Sequence, residues 1–169
     1  MTMDIEVFPD GRVTCAGRTY PVSLGRAGMV LDKREGDGGT PVGRWPLRFV
    51  LYRADRLAPP PGPLPVRAIR PEDGWCDAPA DPAYNRLIAK PFAASHEDLW
   101  RDDHLYDLVV VVGHNDDPPV PGLGSAIFIH LRRDDHGPTA GCVAFARDDL
   151  LDLLGRLTAD SRLVVHAAG

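Results

Sequence analysis

Residues 125–146 read SAIFIHLRRDDHGPTAGCVAFA and contain the most informative pattern of the chain. It consists of an apolar segment that ends near a histidine, a polar loop, and a second apolar segment that opens with Gly141-Cys142. Because side chains alternate along a strand, His130 is expected on the same face as Ala126 and Phe128. The opposite face then carries Ile127, Ile129 and Leu131. The stretch predicts a strand and a folded-back loop that can bring the histidine and the cysteine together.

Strand-like patterns occupy most of the remaining chain. Residues 4–24 are predicted to form a hairpin, because IEVF and RVTCAGRTYPVSLG flank Pro9-Asp10-Gly11, and Asp-Gly is a strong turn signal. LVVVVG at residues 108–113 is β-branched and unbroken, which favours a buried strand, and SRLVVH at 161–166 is expected to be the last strand. The predicted fold class is mainly β.

One segment has a clear helical pattern. RDDLLDLLGRL, at about 147–157, carries its leucines on one stripe and two aspartates near its start, where they suit the helix dipole. HEDLWRDDHLYD is interpreted as a second, short helix. The proline-rich APPPGPLPVR is interpreted as an excursion within one domain rather than as a linker, so residues 1–169 are predicted to form a single domain.

Composition excludes several classes of function. The formal net charge is −5 and no block of Lys or Arg occurs, so the chain has no basic footprint for nucleic acid. No apolar run approaches the roughly 20 residues of a membrane span. The segment MTMDIEVFPDGRVTC lacks the basic and apolar regions of a signal peptide. Three cysteines without a CxxC pair indicate neither a disulfide scaffold nor a zinc site, and Cys15 and Cys76 are interpreted as structural.

Cys142 is the candidate nucleophile. A reactive cysteine needs a base or cation to form its thiolate and donors for the oxyanion of an acyl intermediate. His130 is the first candidate base and His136, six residues before the cysteine, is the second. Gly141 leaves room beside the sulfur and permits unusual backbone angles. A buried, unreactive thiol and a zinc site built from the two histidines and the cysteine remain alternatives at this point.

Two motifs resemble the YkuD-type L,D-transpeptidase domain. That family has a His, a loop and then Ser/Thr-x-Gly-Cys, which corresponds here to His130 and residues 139–142, and an earlier Thr-Pro-x-Gly, which corresponds to residues 40–43. The resemblance extends over about residues 28–166 and is closest to a compact bacterial branch with DKREGDG, GWCD, YN and GHND segments. It implies a mainly β domain of the YkuD type, sandwich-like or barrel-like, with one clear helix.

The resemblance also implies a chemistry. Cys142 would attack the carbonyl of the L-centre of meso-diaminopimelate in a peptidoglycan stem, D-Ala would leave, and an amine of a second stem would take the acyl group. His130 would be the base, and Thr139 and Gly141 would shape the oxyanion loop. The expected partners are donor and acceptor stem peptides, with no metal and no organic cofactor. The further implications are cell wall biogenesis, maintenance of cell shape and acylation of the cysteine by carbapenems.

The chain departs from the usual family pattern at three places. Ala140 replaces the His that often precedes Gly-Cys, Leu131 replaces Gly or Ser, and Val143-Ala144-Phe145 occupies the region of a common Arg or Asn. The base role therefore falls on His130. Acceptor choice is left open between a 3-3 bond and a 1-3 bond to the L-Ala amine of a neighbouring stem.

Loop residues elsewhere are candidates for substrate contacts. His114 and Asn115 are the strongest of them, because they follow the strand-like LVVVVG and loop residues at strand ends commonly lie near a site. The other candidates are Trp75, Tyr84, Asn85, His136, Lys33 and Asp116. For each of them a structural role in a loop is the alternative.

Two other functions compete with a transpeptidase. An L,D-carboxypeptidase or amidase would use the same dyad with water as acceptor, and a non-catalytic cell-wall-binding module would keep its cysteine unreactive. The family resemblance implies a location in the periplasm or cell envelope. Because no signal peptide is recognised, a cytoplasmic enzyme acting on precursors is also left open.

Overall fold

The structure is a computed structural model and describes residues 3–169, which form fourteen strands and one helix. The elements in chain order are β1 (Ile5–Phe8), β2 (Arg12–Cys15), β3 (Arg18–Ser23), β4 (Met29–Val30), β5 (Thr40–Pro41), β6 (Gly43–Tyr52), β7 (Val66–Ala68), β8 (Asp73–Cys76), β9 (Leu87–Ala89), β10 (His96–Asp98), β11 (Leu108–Val112), β12 (Phe128–Leu131), β13 (Val143–Phe145), α1 (Arg147–Arg156) and β14 (Arg162–Val165). The expectation of a mainly β fold with one clear helix is confirmed.

The main sheet closes on itself like a barrel. Its nine strands follow the order β11-β12-β13-β3-β2-β1-β14-β6-β7, and β11 also pairs with β6. The long β6 makes the closure possible, since its first half pairs with β14 and its second half pairs with β11. Closure leaves few unpaired edges in a fold built from short strands.

The core is divided by the strands that carry the site. Alternate residues of β11, and of β12 with the residues just before it, pack in two different apolar clusters. Ile127, Ile129 and Leu131 belong to the larger cluster, together with the leucines of the helix. Ala126, Phe128 and Cys142 pack in the smaller cluster on the other face. The alternation predicted from the sequence is therefore confirmed, and it orients His130 away from the main core.

The helix closes one side of the main core. Leu150, Leu153 and Leu154 are at most 1% exposed, and Leu157 follows directly after the helix at 6% exposed. Burial of a leucine side chain stabilises a fold by about 1.5–3 kcal/mol. The predicted helix at 147–157 is confirmed within one residue of its end.

Two local predictions need correction. The segment 4–24, predicted to be a hairpin, forms the three strands β1, β2 and β3. The additional turn lies between β2 and β3, where Ala16 and Gly17 adopt positive φ. The segment HEDLWRDDHLYD does not form a helix: His96–Asp98 is β10, which pairs with β8 in a small three-stranded sheet. Pairing with β8 decides the conformation of so short a segment, which local propensity cannot do.

Candidate active site

Cys142 and His130 come together because β12 and β13 are parallel neighbours. His130 is in register with Ala144, two residues beyond the cysteine, and Cys142 precedes β13 directly. Both residues line one cavity of about 270 Å³. The loop between the strands carries Thr139 and Ala140, which line the same cavity.

The thiol of Cys142 is buried and hydrogen-bonded to backbone. Its Sγ lies 3.4 Å from the amide nitrogen of Phe128, which donates to it, and donates to the carbonyl oxygen of Ala126 at 3.3 Å. Burial, followed by the negative charge of Glu97, raises the pKa of the thiol to about 12. The resting form at neutral pH is therefore the thiol. Ala126 has φ +54°, an uncommon backbone angle for a residue with a side chain.

His130 is held in one tautomer. Its Nδ1 lies 2.8 Å from the carbonyl oxygen of Leu131, and since a carbonyl can only accept, Nδ1 carries the proton. The Nε2 lone pair makes no hydrogen bond within residues 3–169 and is available to take a proton. Burial lowers the pKa of His130 to about 4, so the ring is neutral at physiological pH. The ring of Tyr106 packs edge-on against it at 5.3 Å.

The loop before the cysteine is fixed by Thr139. Its Oγ1 accepts a hydrogen bond from the amide of Gly141 at 3.1 Å and donates to the carbonyl of Cys142 at 2.7 Å. Gly141 has φ +142°, and a Cβ there would lie 2.7 Å from the carbonyl oxygen of Gly39. The amide of Gly141 is thus engaged, whereas the amide of Cys142 makes no hydrogen bond within the described part of the chain.

Charged side chains of both signs line the cavity. The acidic ones are Glu35, Asp77 and Glu97, and the basic ones are Arg26, Lys33, Arg101 and Arg133. Glu97 accepts a hydrogen bond from the hydroxyl of Tyr106 at 3.0 Å, and its pKa is raised, first by burial. Sequence reasoning missed Glu97 and Tyr106, because both fall in the segment that was interpreted as a helix. The strand His96–Asp98, which contains Glu97, is too short to show a pattern of alternation.

A comparison with protein families shows which family the chain belongs to. The profile described as YkuD, the L,D-transpeptidase catalytic domain, matches residues 4–165. The chain belongs to the YkuD family. Comparisons with curated proteins and with solved structures found no match.

Three of the residues predicted to contact substrate, Trp75, Tyr84 and Asn85, make hydrogen bonds within this YkuD domain. Asn85 Oδ1 accepts hydrogen bonds from Trp75 Nε1 at 2.9 Å and from the amide of Ala126 at 3.0 Å. Its Nδ2 donates to the carbonyl of His114 at 3.1 Å. The hydroxyl of Tyr84 donates to Glu35 at 2.6 Å. None of these three side chains is among the residues that line the Cys142 cavity, whereas Ala126, which Asn85 binds, does line it.

Of the remaining predicted contact residues, Lys33 lines the Cys142 cavity and the others lie at other surfaces. His114 and Asn115 line a neighbouring cavity of about 290 Å³, which shares Lys33 with the Cys142 cavity. The side chain of Asn115 binds backbone groups of Val120 and Gly124 and so closes its own loop. His136 is exposed and lines a third cavity, so His130 alone among the two candidate bases shares a cavity with Cys142. Asp116 forms a bidentate ion pair with Arg48.

The YkuD domain offers no cluster suited to a metal ion within residues 3–169. His130 and His136 line different cavities, so the structure does not bring together the two histidines and the cysteine of the zinc alternative. Cys15 and Cys76 are buried and not in a disulfide. In the same range, no helix has the length and apolar character needed to cross a membrane.

Proposed function

We propose that this YkuD domain, taken as one catalytic unit over residues 1–169, is an L,D-transpeptidase whose nucleophile is Cys142 and whose base is His130. The proposal is supported by the shared cavity, which is lined both by the thiol and by a histidine with a free Nε2 lone pair. Both groups are uncharged at rest, since burial raises the pKa of one and lowers the pKa of the other. Proton transfer therefore accompanies attack instead of preceding it.

In the first half-reaction, Sγ of Cys142 bonds to the carbonyl carbon of the L-centre of diaminopimelate as its proton passes to Nε2 of His130. The tetrahedral intermediate collapses when the C–N bond to D-Ala breaks. The imidazolium of His130 returns the proton to the departing amine, and a thioacyl-enzyme remains. The carbonyl of Leu131 accepts a hydrogen bond from Nδ1–H throughout and stabilises the transient positive charge on the ring.

In the second half-reaction, an amine of a second stem attacks the thioester. Neutral His130 accepts a proton from that amine. The thiolate of Cys142 then leaves and takes this proton from His130, which restores both groups. An acceptor amine on the side chain of diaminopimelate gives a 3-3 bond, and the L-Ala amine gives a 1-3 bond. Because peptidoglycan is the proposed substrate, the enzyme would act at the cell envelope and take part in cell wall biogenesis and in the maintenance of cell shape.

The oxyanion of each intermediate needs hydrogen-bond donors. The amide of Cys142 is the proposed donor, since it has no hydrogen bond of its own within residues 3–169. Thr139 and Gly141 set its direction rather than donating themselves, because the amide of Gly141 is already bound to Thr139 Oγ1. Removal of one such donor in other enzymes costs about 10²–10³-fold in rate.

Two other functions give different products from the same substrate. A carboxypeptidase or amidase transfers the acyl group to water, and a wall-binding module makes no product. The test is incubation of the purified protein with a disaccharide tetrapeptide and identification of products by mass spectrometry. A cross-linked dimer with loss of one D-Ala supports the transpeptidase, tripeptide alone supports the hydrolase, and unchanged tetrapeptide with measurable binding overturns both.

A second test uses a carbapenem, which the proposed site should accept as an acyl donor. Intact-protein mass spectrometry should show one adduct on the wild-type chain and none on Cys142→Ala. An adduct that persists in the variant would contradict the assignment of the nucleophile.

A further inference from the structure

The chain contains only two lysines, and one of them is buried beside the proposed nucleophile. The side chain of Lys33 is 8% exposed and lines the Cys142 cavity. Lysine is rarely buried to this extent without a partner or a function. The other lysine, Lys90, lies outside this cavity, where it pairs with Asp98 at 2.9 Å.

A dedicated carboxylate fixes the ammonium of Lys33. Asp37 accepts a hydrogen bond from Lys33 Nζ through one oxygen and also binds the backbone amides of Arg34, at 2.8 Å, and Gly39, at 2.9 Å. Burial alone would raise the pKa of Asp37, but these hydrogen bonds lower it below its ordinary value. The carboxylate of Asp37 therefore stays ionised, and its hydrogen bond holds the lysine in one position.

Two glycines make room for the lysine side chain. A Cβ on Gly124 would lie 3.1 Å from Lys33 Cγ and 3.2 Å from Lys33 Cε. A Cβ on Gly141 would lie 3.5 Å from Lys33 Nζ. The ammonium thus ends against the residue that directly precedes the cysteine. Its position is set by packing on both sides and is not that of a mobile surface lysine.

The other ionisable groups around Cys142 do not replace this cation. The neighbours that line the same cavity are His130, Tyr106, Glu97, Asp77 and Glu35. His130 is neutral, Glu97 opposes a negative sulfur, and Tyr106 keeps its proton because burial raises its pKa. Arg26 and Arg133 are exposed to solvent, which screens their charge, and Arg101 is engaged by Asp103 at 2.7 Å.

We propose that Lys33 is a positioning residue that stabilises negative charge on the sulfur of Cys142, and that Glu97 is its opposing counterpart. The inference rests on the proposed function, since it assigns a role to Lys33 in the same site. It accounts for a buried lysine, a carboxylate dedicated to it and two glycines that accommodate it. The positive charge lowers the pKa of the thiol, against burial and Glu97, which raise it.

The test measures the rate of alkylation of Cys142 by iodoacetamide, a neutral reagent, as a function of pH, with the labelled site identified by peptide mapping. Lys33→Met removes the charge and keeps the length of the side chain. It should shift the rate profile to higher pH and slow alkylation about tenfold at a fixed pH, which corresponds to one pKa unit. Glu97→Gln, whose amide oxygen can still accept from Tyr106, should shift the profile to lower pH. Lys90→Met is the matched control and should leave the profile unchanged.

Opposite shifts in the two variants separate an electrostatic role from a structural one. Equal profiles in wild type and Lys33→Met, or slower alkylation in both Lys33→Met and Glu97→Gln, would overturn the inference and leave the proposed function intact. Lys33→Arg retains the charge and should keep the wild-type alkylation rate at a fixed pH better than Lys33→Met does. If Lys33→Met does not fold, as circular dichroism would show, Lys33→Gln replaces it, and an unchanged alkylation rate at a fixed pH in that variant counts against the proposal. A wild-type thiol that resists alkylation at every pH, yet reacts after denaturation, would instead contradict the proposed function.

Discussion

The amide of Phe128 lies 3.4 Å from the sulfur of Cys142, and His130 is two residues further along the same strand. Alternate residues of a strand share a face, so the side chains of Phe128 and His130 point the same way. Parallel pairing of β12 and β13 then fixes how far apart Cys142 and His130 lie along the strand direction. Strand register and the hydrogen bonds of Thr139 in the preceding loop therefore place the two residues of the proposed dyad.

Replacement of the nucleophile should abolish turnover. Cys142→Ala should leave no detectable release of D-Ala from a stem tetrapeptide, whereas Cys15→Ala and Cys76→Ala should retain activity. The fold should persist in Cys142→Ala, since removal of one buried sulfur costs only a few kcal/mol at most. Activity of Cys142→Ala equal to that of wild type would refute a cysteine mechanism.

The two candidate bases should respond unequally. His130→Ala should reduce kcat/KM by about 10²–10⁴-fold, the range of general-base help, because no other histidine lines the Cys142 cavity. His136→Ala should change it little, since His136 is exposed and lines a different cavity. The larger loss in His136→Ala would reverse the assignment of the base.

Much of this site follows from the sequence. The period of two in residues 125–131 predicts which side of β12 carries His130, because one face of the strand must pack into the main core. Glu97 could not be predicted, since the three-residue β10 is set by pairing with β8 and has no local pattern of its own. The burial of Lys33 could not be predicted either, because it depends on the absence of side chains at Gly124 and Gly141, which are distant in the sequence.

Acid should destabilise the fold through two buried histidines. Burial lowers the pKa of both His114 and His130 from 6.5 to about 4. A depressed pKa in the folded state means that the unfolded chain binds more protons between these values. The stability contributed by the neutral rings is therefore full above pH 6.5 and is lost as pH falls toward about 4.

Urea unfolding across this pH range measures the effect. The free energy of unfolding should fall from pH 7 to pH 4 in the wild type, and the fall should be shallower in His114→Asn. Equal slopes in the two proteins would contradict the origin assigned to the acid sensitivity.

Two Gly→Ala substitutions should have opposite effects on stability. Gly141→Ala should impair both folding and turnover, because its Cβ would lie 2.7 Å from the carbonyl oxygen of Gly39 and its φ is +142°. Gly155→Ala, within α1, should stabilise by up to about 1 kcal/mol, since alanine favours helix and the nearest atom would be 3.9 Å away. Thermal unfolding checks both, and a stable, fully active Gly141→Ala would contradict the close approach of these loops.

In the proposed reaction, Cys142 carries the acyl group of a stem peptide. The direct measurement mixes wild-type protein with a disaccharide tetrapeptide, quenches with acid within the first turnover, and determines the intact mass and the modified residue by peptide mapping. A mass increase equal to the donor acyl group, located on Cys142 and absent in Cys142→Ala, is the expected result. Cross-linked product that accumulates with no adduct at Cys142 at any quench time, or an adduct located on another residue, would contradict the account.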